Sequence, residues 1–165
     1  KFLKPVNTGL ELQWYPTGII PSMETEWIIN HRLSLSTRIG MNLADRKDFS
    51  EFHDHEEGSA FGGSLGFRYY LTPNTYNKWF LGLRTDLWDM TIDWENYGPP
   101  STKGATDILI LQPTLELGYL HQLGTSPWNI GAAMALGFEI NIVTVGEEVA
   151  QGKVSLLSLN LNRIW

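Results

Sequence analysis

Cysteine is absent from the 165 residues, which excludes a disulfide framework and any thiolate metal site. Long apolar runs are missing too: no stretch approaches the ~20 residues that a membrane-spanning helix needs. Basic residues are few, 12 against 18 acids for a net charge of −6, and they do not cluster. That argues against nucleic acid, whose binders neutralise phosphates with Lys and Arg. No secretory leader precedes KFLKP, so the chain reads as a mature or trimmed product. Mean hydropathy is −0.16, which would suit a soluble protein. It does not exclude a membrane barrel, whose strands average an apolar face against a polar one and so hide from hydropathy windows.

What is present is alternation. In Arg32 to Leu43, the residues Leu33, Leu35, Thr37, Ile39, Met41 and Leu43 fall on one face of an extended chain. Arg32, Ser34, Ser36, Arg38, Gly40 and Asn42 fall on the other, because successive strand side chains point to opposite sides. About ten such residues cover a bilayer core when the strand is tilted. The aromatic share of 12 per cent, with 7 Trp, favours strands and suits a protein with interfacial girdles.

The same pattern recurs along the chain. Asn7 to Pro16 alternates, a link TGIIPS follows, and Met23 to Ile29 alternates again before an Asn30-His31 turn. Asp45 to Ser59 reads as an exposed charged loop and Ala60 to Leu71 as a strand; TPNTYNK has turn chemistry. Lys78 to about Trp94 is the longest strand, its pattern blurring beyond Asp89, and Glu95 to Thr106 is a second loop. Asp107 to His121 is interrupted by Pro113, which cannot donate a ladder hydrogen bond, so a bulge or weak pairing is expected there. Trp128 to Ile142, a loop from Val143 to Gly152, and Lys153 to Trp165 complete the chain. The reading is a single domain over 1–165, all-β, an eight-stranded antiparallel up-and-down transmembrane β-barrel. Long loops fall at one rim, with short turns and both termini at the other.

The expected inward faces gather Glu11, Glu24, Glu26, Arg38, Arg68, Arg84, Asp86, Glu116 and Glu139 among glycines and small polar residues. An eight-stranded barrel is just wide enough for side chains to fill, so these charges are expected to pair into a lumen ion-pair network that closes the bore. A proton or ion path is the competing use of the same residues. A soluble transport barrel would have the opposite polarity, with apolar residues lining its cup. Trp14, Trp27, Trp79, Trp128 and Trp165 face outward near strand ends. They read as membrane-interface anchors, although a partner protein docking on the wall would use similar residues.

The chain resembles the small eight-stranded outer-membrane barrels of the OmpA-transmembrane and OmpX kind, over nearly its whole length. The resemblance rests on the alternating strands and on the last one, SLLSLNLNRIW, which ends in an aromatic; Trp165 stands where that family usually has Phe. It implies a Gram-negative outer-membrane location with periplasmic termini, contact with outer-membrane lipid, and assembly by the barrel-insertion machinery that reads such terminal strands. It selects a fold and does not fix a function.

Two chemical readings were weighed. His53, Asp54 and His55, with Glu56 and Glu57, carry ligand chemistry for a divalent ion, but consecutive ligands in a loop rarely build a defined site; no metal or other cofactor is expected. Some barrels of this size modify lipid A, as acyltransferases or deacylases, which requires a Ser–His–acid set near the interface. His121 and Ser126 lie in a short turn, as does His31, and the paired outward His and Ser of the deacylases are absent. The expectation is therefore a non-enzymatic barrel, either a structural or accessory subunit of a larger outer-membrane protein complex or a surface interaction protein. A lipid A-modifying enzyme and, behind it, a narrow channel are the alternatives.

Overall fold

A computed structural model describes residues 5–46, 52–72 and 77–165, with side chains from residue 7. These residues form eight strands: β1 (Pro5–Tyr15), β2 (Gly18–Ile28), β3 (Leu33–Asp45), β4 (His55–Tyr70), β5 (Asn77–Asn96), β6 (Thr102–Gln122), β7 (Trp128–Val145) and β8 (Gly152–Ile164). Each pairs antiparallel with its sequence neighbour, and β8 closes on β1 with Leu10 opposite Leu161. Closure leaves no sheet edge along the shared length, which is what a strand structure needs in lipid.

The alternation that defined the strands sorts the wall. Leu10, Met23, Ile39, Leu65, Leu83, Leu115, Leu136 and Leu159 are exposed on the outside. Their chain neighbours Glu11, Glu24, Arg38, Arg84, Glu116 and Ser158 are buried inside. An exposed apolar wall around a buried charged interior is the inverse of a soluble barrel.

Several boundaries differ from the sequence reading. The link TGIIPS is mostly strand, since β2 begins at Gly18 and only Pro16 and Thr17 make the connection. Pro21 is accommodated because pairing of β2 with β3 skips Ile20 and Pro21, resuming at Ser22↔Gly40 without a shift. Pro113 behaves likewise: pairing of β6 with β7 skips Gln112 and Pro113, and the register is unchanged at Thr114↔Gly137. A proline with no N–H weakens one ladder while its other neighbour, Thr85, stays in register. The bulge on this strand pair lies elsewhere, where Leu109 faces Val143 and Ile110 faces Asn141, leaving Ile142 extra.

The larger correction concerns the loops. His55 to Ser59 belongs to β4, and the expected loop from Glu95 to Thr106 is a hairpin whose strands pair out to Asn96↔Thr102. Val143 to Val145 belongs to β7. The two rims therefore differ less in loop length than expected; β5 and β6, of 20 and 21 residues, instead carry the wall outward. Residues 47–51 of the expected charged loop and 73–76 of the TPNTYNK turn lie outside the described residues.

Candidate functional site in the barrel interior

The interior is stacked in three layers. At its centre three arginines meet four carboxylates. Arg38 donates through Nε to Glu11 (2.5 Å) and through a terminal nitrogen to Glu116 (3.1 Å), and lies 3.6 Å from Glu24. Arg84 donates to Asp86 (2.9 Å), Glu116 (2.7 Å) and the Gln13 amide oxygen (3.1 Å). Arg68 stands 2.5 Å from Glu24 and 3.8 Å from Glu116, with its guanidinium 4.6 Å over the Phe80 ring. Strand register produces the set: Glu24 faces Arg38 across β2–β3, and Gly82 sits between Arg68 and Glu116 across β4–β5–β6. All seven side chains are at least nine-tenths buried. Such charges persist in a dry interior only when paired.

Two expected members of this network stand apart from it. Glu26 has no arginine at ion-pair distance among the described residues. Its carboxylate accepts from Ser34, from Asn7 (2.6 Å) and from the Tyr70 hydroxyl. Glu139 belongs to a second cluster, nearer the rim of the longer strands, where Arg46 bonds it at 2.5 Å and also donates to the Ala150 carbonyl. The sequence pattern puts Arg46 in the expected exposed loop from Asp45 to Ser59. In the structure it is 4 per cent exposed and folds inward beside Glu56, 3.6 Å away.

Toward that rim the interior turns apolar. Ile20, Met90, Ile92, Trp94, Ile108, Ile110 and Leu156 form one buried cluster. Val149 joins it from the β7–β8 connection, 2 per cent exposed. The blur expected beyond Asp89 is in fact a continued alternation with its polarity exchanged: Met90, Ile92 and Trp94 point in while Asp89, Thr91 and Asp93 point out. The reason is the medium outside, which changes from hydrocarbon to water, so the wall's polar face must turn outward. Gly104 lets the Trp94 indole lie against β6, since a Cβ there would fall 2.3 Å from the ring. At the opposite end Tyr70, Phe80, Leu120 and Ala133 form a smaller apolar layer.

The metal-candidate residues diverge. His53 is buried, stacked on Trp94 at 4.4 Å, with Glu56 3.0 Å from Nδ1. Asp54 accepts from the Tyr97 backbone, and His55 lies 3.1 Å from Asp45 on the outer side. Among the described residues no group of three ligand-type side chains is placed to hold an ion. His121 and Ser126 have separate partners, Asn77 for the imidazole (2.6 Å) and the Trp128 N–H for the hydroxyl (3.3 Å).

Of the outward tryptophans, Trp27, Trp79, Trp128 and Trp165 gather at the rim of the short turns and chain ends, with Trp79 5.0 Å from Tyr119. Trp14 lies toward the other rim, opposite Ile19 and Leu157. Beyond the apolar band the outer wall is acidic: Asp45, Glu57 and Asp93 are direct neighbours across β3–β4–β5. Lys103 pairs with Glu95 on the protruding hairpin, and that hydrogen bond raises the ammonium's pKa above its ordinary value.

No protein-family model matches the sequence, and no curated protein matches it. Solved structures do. Neisserial surface protein A superposes with a TM-score of 0.63 at 12% identity, over 98% of this chain and 96% of that one. Ail, the attachment invasion locus protein of Yersinia pestis, crystallised with the heparin analogue sucrose octasulfate, superposes at 0.55 and 8% identity, over 98% and 97%. The fold is that of the small eight-stranded outer-membrane barrels, and the uncharged outer band is the surface such a fold presents to lipid. At these identities the likeness is one of architecture.

Proposed function

We propose that the chain is a non-enzymatic integral protein of the Gram-negative outer membrane, with periplasmic termini and a lumen closed to ions. On this reading it acts as a structural or accessory subunit of a larger assembly or as a surface interaction protein. The observation that carries the closed lumen is the central set Glu11–Arg38–Glu116–Arg84–Asp86, which spans the bore from β1 to β6 through paired, buried groups. Apolar layers lie on both sides of it. A hydrated ion would have to break several of these pairs and cross two apolar layers, each step uncompensated.

The non-enzymatic reading is supported by His121 and Ser126, whose partners do not form a nucleophile–base pair. The interaction role is supported by the β4–β6 wall that rises beyond the apolar band with Glu57, Asp89, Asp93, Glu95 and Asp107 on its outer face. That acidic face suits a cationic partner. It is the opposite of what a polysulfated sugar, the compound crystallised with Ail, requires. Planar-bilayer recording tests the closed lumen: flat traces are expected from the reconstituted protein, and reproducible unitary steps would make it a channel.

A further inference from the structure

The rim of the short turns has a charge pattern opposite to that of the acidic wall at the other end. At this rim the described segments 5–10, 28–33, 67–72, 77–80, 117–130 and 161–165 contain no Asp or Glu, and the nearby Glu26, opposite Asn7, is buried in the interior. Besides the inward, paired Arg68, these segments carry Arg32, Lys78 and Arg163. Two of these cations are seated on outward aromatic rings just where the apolar band ends. Arg32 donates to the Tyr69 hydroxyl (3.2 Å), its guanidinium 5.9 Å from the ring centroid. Arg163, exposed on β8, lies 4.4 Å over the Trp165 indole, whose N–H is held by Thr8 (2.7 Å). Neither arginine pairs with a carboxylate among the described residues. Lys78 adds a third positive charge at the mouth of the barrel, 5.7 Å over Tyr70.

We propose that Arg32 with Tyr69, and Arg163 with Trp165, are two seats for the phosphate of an anionic phospholipid in the leaflet surrounding this rim. The inference rests on the membrane-spanning reading above. An aromatic ring at the interface fixes the depth of the headgroup region. A guanidinium held beside such a ring, by the Tyr69 hydroxyl for Arg32 and over the indole for Arg163, is placed at that depth with further N–H groups to offer phosphate oxygens. The choice of an anionic lipid follows from the missing acids. With no acid among the described rim residues to offset Arg32 and Arg163, their charge favours a net negative headgroup over a zwitterionic one, whose ammonium already balances its phosphate. Lipid and protein charge are thereby complementary on this side, whereas the acidic wall at the other rim repels the same headgroup.

The test uses the intact chain reconstituted into vesicles of phosphatidylcholine and brominated phosphatidylglycerol, with tryptophan quenching reporting which lipid occupies the rim. Trp165, Trp79, Trp128 and Trp27 are the reporters on this side. The wild type is expected to select phosphatidylglycerol, with R32Q and R163Q each lowering the selectivity by about fivefold. The double variant is expected near parity, and K103Q/K153Q at the other rim unchanged. Selectivity that survives R32Q/R163Q, or is absent from the wild type, overturns the proposal. So does its loss to millimolar inorganic phosphate at constant ionic strength, which would make these free-anion sites. Inserted protein without selectivity sinks this inference alone, whereas failure to insert, read as loss of heat-modifiable gel migration, sinks the membrane-spanning reading beneath it.

Discussion

Glu116 is the residue on which the central layer converges. It accepts from Arg38 and Arg84 and stands 3.8 Å from Arg68, so its removal takes one partner from each of three buried guanidinium groups and leaves them Glu11, Glu24 and Asp86. Glu116→Ala is expected to destabilise the barrel by about 3–5 kcal/mol, the usual result of removing one partner from a buried ion-pair network, measured as a lower urea midpoint in vesicles. A second residue-scale prediction concerns close approach. A Cβ on Gly62 would fall 2.1 Å from the Leu87 carbonyl oxygen and 2.6 Å from the Trp88 ring. Because the nearer contact is backbone, Gly62→Ala is expected to cost on the order of 1–3 kcal/mol by the same assay. Much of this layer was legible in the sequence, because one alternating phase carries Glu11, Glu24, Arg38, Arg68, Arg84, Asp86 and Glu116 to the inside. Their partners were not, since they depend on register between strands. Arg46 was hidden for another reason: it follows β3 and precedes a charged run, a context that reads as solvated until His53 and Glu56 are seen folding in with it.

At the scale of the element, β5 records the change of solvent. Its outward residues run Trp79, Leu81, Leu83, Thr85, Leu87 and then Asp89, Thr91, Asp93, while the inward ones run Arg84, Asp86 and then Trp88, Met90, Ile92, Trp94. The phase never breaks; only the assignment of apolar to a face exchanges. A reading that sought apolar-out saw the strand fade at Asp89, and the same assumption turned the upper parts of β4 and β6 into loops. Each of Met90, Ile92 and Trp94 contributes on the order of 1.5–3 kcal/mol by burial, which anchors the hairpin without lipid. A steep depth dependence is expected for arginine substitutions on the outer face. Leu83→Arg is expected to cost about 2–4 kcal/mol and Thr91→Arg about 0–1 kcal/mol, read as unfolding midpoints in vesicles of one composition. Equal costs at the two positions would mean that β5 does not leave the membrane near Asp89.

The whole molecule is a wall with three environments outside and three layers inside, and the two sequences of environments are offset. A cationic, aromatic rim, an uncharged band and an acidic extension follow one another along the exterior. A small aromatic layer, an ionic layer and an apolar layer follow one another within. The fold class is written in the alternation; the partner is not, because the same wall pattern serves any barrel of this size. The most direct measurement exploits the absence of cysteine. Single cysteines at positions 81, 83, 85, 87, 89, 91 and 93 can each carry a nitroxide in vesicles, with collision by oxygen compared against collision by a water-soluble nickel chelate. Lipid-like accessibility is expected from 81 to 87 and water-like accessibility from 89 to 93. Water-like values at 83 and 85 would contradict that expectation.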